Sequence, residues 1–177
     1  MCRLRFIEPE DVSPRAKELF KKLVLVPNLL CVMANSGAAL DSFASYAANL
    51  AQYKLPVKYR EMISLAVSQF NDCDYCLALH TAGAVDGGQL SWLECLQARR
   101  MSSPDPKANA LLKLTQAILS NRGHVDDGAI DQARQHGFDD QEIVEVINII
   151  GLINIANFTA NVARPELDFL EAAPLEG

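Results

Sequence analysis

The sequence predicts an all-α protein. Helix-start and helix-stop signals recur along the whole chain, and apolar residues return at helical spacing between them. No run alternates apolar and polar residues between turn signals, so no strand is expected. With 177 residues, 50% hydrophobic and 21% charged, the chain is long enough to bury a proper core without disulfide staples. The expected organisation is a single domain over residues 1–177, with one half at about 28–101 and a second at about 106–165.

Each element has a local reason. Ser13-Pro14 is a cap followed by proline at the first helical position, opening a helix over 14–22. Pro27 interrupts, and a short helix covers 28–34. Ser36 caps a helix reaching about residue 53, where Leu40, Phe43, Ala44, Ala47 and Leu50 form a stripe. Pro56 opens the next, with Met62, Ile63, Ala66, Val67 and Phe70 on its apolar side. Asn71-Asp72 breaks it, and a new helix begins near Cys73. Gly87-Gly88 separates that helix from one over 90–101, where Trp92, Leu93 and Leu96 are expected to make the packing contacts. A linker at 102–106 precedes an Ala- and Leu-rich helix to Ser120, closed by Asn121-Arg122-Gly123. Asp126 or Asp127 starts another, which Gly137 closes after His136. Asp139 or Asp140 caps the last long helix, carrying Ile143, Val146, Ile147, Ile150 and Ile153.

Composition excludes several functions. Sixteen Lys and Arg stand against 22 Asp and Glu, a formal charge of −6. An acidic chain without a basic cluster is a poor partner for nucleic acid or an anionic membrane. The most apolar stretch, 147–158, is short for a span and carries Asn148, Asn154 and Asn157. The N-terminus shows no apolar secretory region, and five scattered cysteines (Cys2, Cys31, Cys73, Cys76, Cys95) do not form a disulfide framework. The expectation is a cytoplasmic, reducing location.

Chemistry concentrates between Glu61 and His80. On a helix starting near Cys73, residues 73, 76, 77 and 80 share one face. His80 lies one turn beyond Cys76 and can serve as its base, while Cys73 sits in the first turn, where free N–H groups and the helix dipole favour a thiolate. Two sulfurs in Cys-x-x-Cys can close a disulfide over one turn. On one continuous helix Glu61 would lie about 18 Å from Cys73. If the chain instead reverses at Asn71-Asp72, Glu61 comes opposite His80 and orients its ring. A zinc site is the other reading of the cysteines, but the pattern supplies three ligands where a structural zinc takes four. Cys2, Cys31 and Cys95 have no partner spacing, and His124 and His136 read as structural. Tyr75 reads as packing. An offset of 84 residues aligns Glu61-Met62-Ile63 with Glu145-Val146-Ile147 and Cys73 with Asn157, an echo consistent with a duplicated helical unit. Asn148, Asn154, Asn157 and Asn161 need partners on so apolar a helix, across that pseudo-repeat or across a subunit interface.

The order Glu61, twelve positions to Cys73, three to Cys76 and four to His80, with Tyr75 and Thr81 beside it, resembles the alkylhydroperoxidase D and carboxymuconolactone decarboxylase superfamily. The resemblance implies an all-helical fold of related halves, assembled as trimers or hexamers. It further implies a cofactor-free, metal-free thiol peroxidase for organic hydroperoxides, using Cys73 and Cys76 with Glu61 and His80 as a proton relay. An external dithiol protein, thioredoxin-like or lipoyl-type, would reduce the pair. Two departures stand out. Tyr75 occupies the place of a histidine in the founding alkylhydroperoxidases, and the decarboxylase branch lacks the cysteine pair present here. Proximity to His80 favours Cys76 as the attacking thiol, with a more exposed Cys73 resolving; the dipole favours the reverse order. A disulfide-exchange adaptor and a non-catalytic helical oligomer are the competing readings.

Overall fold

Side-chain caps set most helix starts. In the computed structural model, which describes residues 2–175, Ser13, Ser36, Ser91, Asp105, Asp126 and Asp139 each accept a backbone N–H from the turn that follows. The helices are α1 (Pro14–Phe20), α2 (Asn28–Met33), α3 (Gly37–Asn49), α4 (Val57–Phe70), α5 (Asp74–Asp86), α6 (Trp92–Arg99), α7 (Pro106–Ser120), α8 (Asp127–Gln135) and α9 (Asp140–Ala163). There is no strand among the described residues, so the protein is all-α. Several ends differ from expectation by one to three residues. The largest change follows α3, which stops at Asn49 and tightens into a 3₁₀ turn, Leu50–Gln52. The chain then extends towards Pro56, and the N–H groups of Lys54 and Leu55 go to the Glu145 carboxylate at 2.9 and 2.8 Å.

Helix α4 is the hub. Met62 through Ser68 are all buried, and the helix packs on α9, α5, α6 and α7. Ile63 and Val67 face one cluster with Leu111, Val146 and Ile149, while Met62, Leu65 and Ala66 face another with Leu77, Leu90 and Leu112. A third cluster joins α1, α2 and α3 to the start of α5 through Phe20, Leu29, Leu40 and Cys76. Helices α4 and α9 run side by side in the same direction: Leu55 meets Glu145 at one end, and Asn71 meets Asn154 and Asn157 at the other.

Two sequence expectations change here. Trp92 and Leu93 are 57% and 63% exposed; the buried face of α6 is Cys95, Ala98 and Arg99 instead. The apolar run at 147–158 belongs to a helix of 24 residues, long and apolar enough to cross a membrane by length and composition. In this fold α9 lies against α4, α2, α5, α3 and α7, and its asparagines make hydrogen bonds.

Candidate functional site

The turn between α4 and α5 aims the chemistry. Asn71 ends α4, Asp72 takes a left-handed conformation at φ 48°, and the Cys73 N–H returns to the Ser68 carbonyl at 2.9 Å. Asparagine and aspartate tolerate such a turn because their short polar side chains bond locally. The chain therefore reverses, and α5 runs back along α4. Glu61 on α4 and His80 on α5 meet, Glu61 Oε2 to His80 Nδ1 at 2.9 Å. With Nδ1 taken by the carboxylate, Nε2 is the ring atom left for proton exchange.

Cys73 is the cap residue of α5, its sulfur accepting the Cys76 N–H at 3.4 Å. The Cys76 thiol also donates to the Cys73 sulfur, which lowers the Cys73 pKa; burial works against this, and the Cys76 N–H and the Asn157 amide reinforce it. The same hydrogen bond raises the Cys76 pKa, and burial adds to the rise. The first negative charge on the pair is thus favoured on Cys73, in line with its place at a helix start. The expectation of an exposed Cys73 is corrected: Cys73 and Cys76 are 0% and 1% exposed. Side chains from α9 and the α1–α3 layer close over the turn, a cover the local sequence does not encode.

Cys76, not Cys73, reaches the wall of a cavity of about 360 Å³ that it shares with Glu61 and His80. The rest of the wall is mostly apolar, including Leu29, Leu30, Phe43, Leu152 and Ala156, and Arg60 joins it from α4. A larger groove of about 630 Å³ runs past Asn71, Asp74, Tyr75 and Arg164 but is lined by no thiol. A small cavity of apolar wall with a few convergent polar groups is the usual form of a ligand site.

Four supporting residues, Asn154, Asn157, Asn161 and Asp168, lie far from the motif in sequence. Asn157 is fully buried; its amide donates to Ser68 Oγ at 3.2 Å and accepts from Asn71 at 2.9 Å. Asn154 accepts from Asn71 at 2.7 Å, and Asn161 donates to the Asn71 carbonyl at 2.8 Å. These α9 amides therefore find partners within the chain, at the turn that presents Cys73, and Asn148 pairs with Tyr46. Tyr75 does more than pack. Its hydroxyl accepts the Leu29 N–H at 3.0 Å and donates to Asp168, which also accepts the Asn28 N–H at 3.0 Å. The segment after α9 is thereby tied to the start of α2. The unusual run of asparagines was a visible signal for Asn157; nothing near Asp168 marks it in the sequence.

Thr81 is buried, and its hydroxyl has no hydrogen-bond partner among the described residues. Cys31 is buried in the same core cluster as Cys73 and Cys76 and Cys95 in a different one, and burial pushes both thiols up to about 11. His136 bonds its own helix through the Gln132 carbonyl at 2.8 Å. Among the described residues, no group of three or more His, Cys, Asp or Glu side chains gathers as a metal site.

Fold and site together define a helical protein with a thiol pair at a helix start, a carboxylate–imidazole pair one turn away and an apolar cavity between helices. Residues 37–91 match the model of the carboxymuconolactone decarboxylase family. The chain is 33% identical over 101 residues to the uncharacterized protein YdfG of Bacillus subtilis (strain 168), covering 55% of this chain and 68% of that one. Its fold resembles the alkylhydroperoxidase AhpD core of an uncharacterized peroxidase-related protein from Ralstonia eutropha JMP134, with TM-score 0.82, 23% identity and coverage of 94% and 92%. An uncharacterized peroxidase-related protein from Silicibacter sp. TM1040 is similar, at TM-score 0.79, 24% identity and coverage of 93% and 89%. The chain belongs to the alkylhydroperoxidase D and carboxymuconolactone decarboxylase superfamily.

Proposed function

We propose that the protein is a cofactor-free thiol peroxidase that reduces organic hydroperoxides. The observation that carries this reading is the single cavity wall shared by Cys76, His80 and Glu61, with Cys73 hydrogen-bonded behind Cys76. His80 takes the first proton from the thiol pair, and Glu61 stabilises the imidazolium and fixes its ring. The remaining proton passes from Cys76 to the Cys73 sulfur as Cys76, which faces the cavity, attacks the peroxide. The oxygen–oxygen bond breaks, Cys76 becomes a sulfenic acid, and the alkoxide takes the His80 proton to leave as an alcohol. Cys73 then attacks the sulfenic acid, releasing water and closing the disulfide. Two thiols and one hydroperoxide give one disulfide, one alcohol and one water. An external dithiol protein, thioredoxin-like or lipoyl-type, returns the pair to thiols. The five free cysteines suit a reducing, cytoplasmic location, and the working unit is a homo-oligomer.

A single-turnover oxidation tests this. Reduced protein mixed with one equivalent of cumene hydroperoxide should rapidly lose the mass of two hydrogen atoms, mapped to Cys73–Cys76, and His80→Ala should abolish the fast phase. Slow oxidation by peroxide with ready oxidation by a disulfide donor would replace the peroxidase by an exchange adaptor. No bond with either oxidant would make the motif structural.

A further inference from the structure

Arg60 stands apart among the groups lining the cavity. It sits on α4 immediately before Glu61, and Val57, Arg60, Glu61 and Ser64 bring one side of that helix to the wall. The neighbouring Glu61 carboxylate is engaged by His80, not by Arg60. Arg60 donates through Nη1 to the Leu50 carbonyl at the end of α3, while its buried Nε has no partner among the described residues. Among the described residues no carboxylate pairs with it. The contrast is Arg99, the other guanidinium partly withdrawn from water, which is bonded to Gln69 at 2.8 Å and to the Ala173 carbonyl at 2.7 Å.

A guanidinium beside apolar walls loses hydration that one carbonyl does not replace. Its fork of parallel donors fits a carboxylate, which a lone carbonyl cannot fill. Elsewhere in the lining, Leu30, Phe43 and Leu152 offer nothing polar. A ligand that satisfies both surfaces carries one anionic group on a compact hydrocarbon body, and about 360 Å³ lies at the small end of ligand sites.

We infer that the cavity beside Cys76 binds apolar carboxylic acids, with the carboxylate held by Arg60 and the hydrocarbon part against Leu30, Phe43 and Leu152. The inference rests on the peroxidase reading for its consequence: the preferred substrates are hydroperoxides of medium-chain or aryl carboxylic acids, placed with the peroxide towards Cys76.

Calorimetric titration of the reduced full-length protein with 4-isopropylbenzoate and with its methyl ester tests the binding without any peroxide. The wild type should bind the carboxylate about 10-fold or more tighter than the ester, the scale of a charge-assisted hydrogen bond. Arg60→Gln should bring that ratio close to one, and Arg60→Lys should keep part of it. Equal affinities in the wild type, or an unchanged ratio in Arg60→Gln, overturn the inference. The wild-type comparison and Arg60→Lys decide the matter if loss of the Leu50 contact unfolds the glutamine variant. Neither ligand has an oxygen–oxygen bond, so an Arg60-dependent preference with no oxidation of the pair by cumene hydroperoxide or by the hydroperoxide of 4-isopropylbenzoate would sink the peroxidase and leave this site standing.

Discussion

Glu61 touches neither sulfur in the structure, so its effect on oxidation must pass through His80. Glu61→Gln keeps a group that can bond Nδ1 but removes the charge that stabilises the imidazolium. The peroxide oxidation rate should then fall on the order of 10–100-fold, with Glu61→Asp recovering part of it and the melting temperature little changed. A loss of rate matched by a large drop in melting temperature would instead make the pair a structural bond. At this scale the sequence was informative where spacing alone decides geometry. Cys76 and His80 share a helix face, and one reversal at Asn71-Asp72 suffices to bring Glu61 to His80. It was uninformative about Cys73, because exposure there is set by residues tens of positions away, and the dipole argument speaks only to its charge.

Between elements, the turn ahead of α5 is held from α9. Asn157→Ala would strip Ser68 and Asn71 of a buried partner and remove an amide that favours thiolate on both cysteines. Stability should fall by about 1–3 kcal/mol in urea unfolding. The pH midpoint of the pair's first thiolate ionisation, followed by ultraviolet thiolate absorbance, should rise, since the lost donor had lowered the Cys73 pKa. An unmoved midpoint would remove Asn157 from the site. Helix α6 tests a different feature. Glu94 closes a capping box with Ser91 and bonds Lys58 at 2.7 Å, and the Lys58 ammonium above all holds its carboxyl down at about 2. A carboxylate depressed in the folded state stabilises it above the unfolded value near 4.3, and that stability is lost as pH falls towards about 2. Glu94→Gln should therefore cost about 1 kcal/mol at pH 7, discounted for partial exposure, and the gap from wild type should close between about pH 5 and 2. Ser91 with glutamate three residues on is a visible box pattern, which the expected helix start at residue 90 passes over. The tie from Asp168 to Tyr75 and Asn28 leaves no such pattern, since those partners are 93 and 140 residues apart.

For the molecule as a whole, the unusual surface is on α9. Val144, Ile147, Ile155, Phe158 and Val162 are each 46–57% exposed although they belong to the central core helix. Together with Gly151 their spacing of three and four residues keeps them on one face, the pattern by which helices pair in a left-handed seam. A stripe of this kind on a chain that is half hydrophobic suits a second copy of itself better than water. The sequence showed the apolar residues of this helix; which of them point outward became readable only once α4 was seen to occupy the opposite side. Sedimentation should accordingly give a mass that is a multiple of the 19.4 kDa chain. Phe158→Asp should reduce that mass or sharply raise the concentration at which assembly occurs, because a charge in an apolar seam must be desolvated without a partner. The effect should survive high salt, which screens ion pairs but not apolar contacts. A wild type that sediments at 19.4 kDa at high concentration would show that the stripe is not a self-association face.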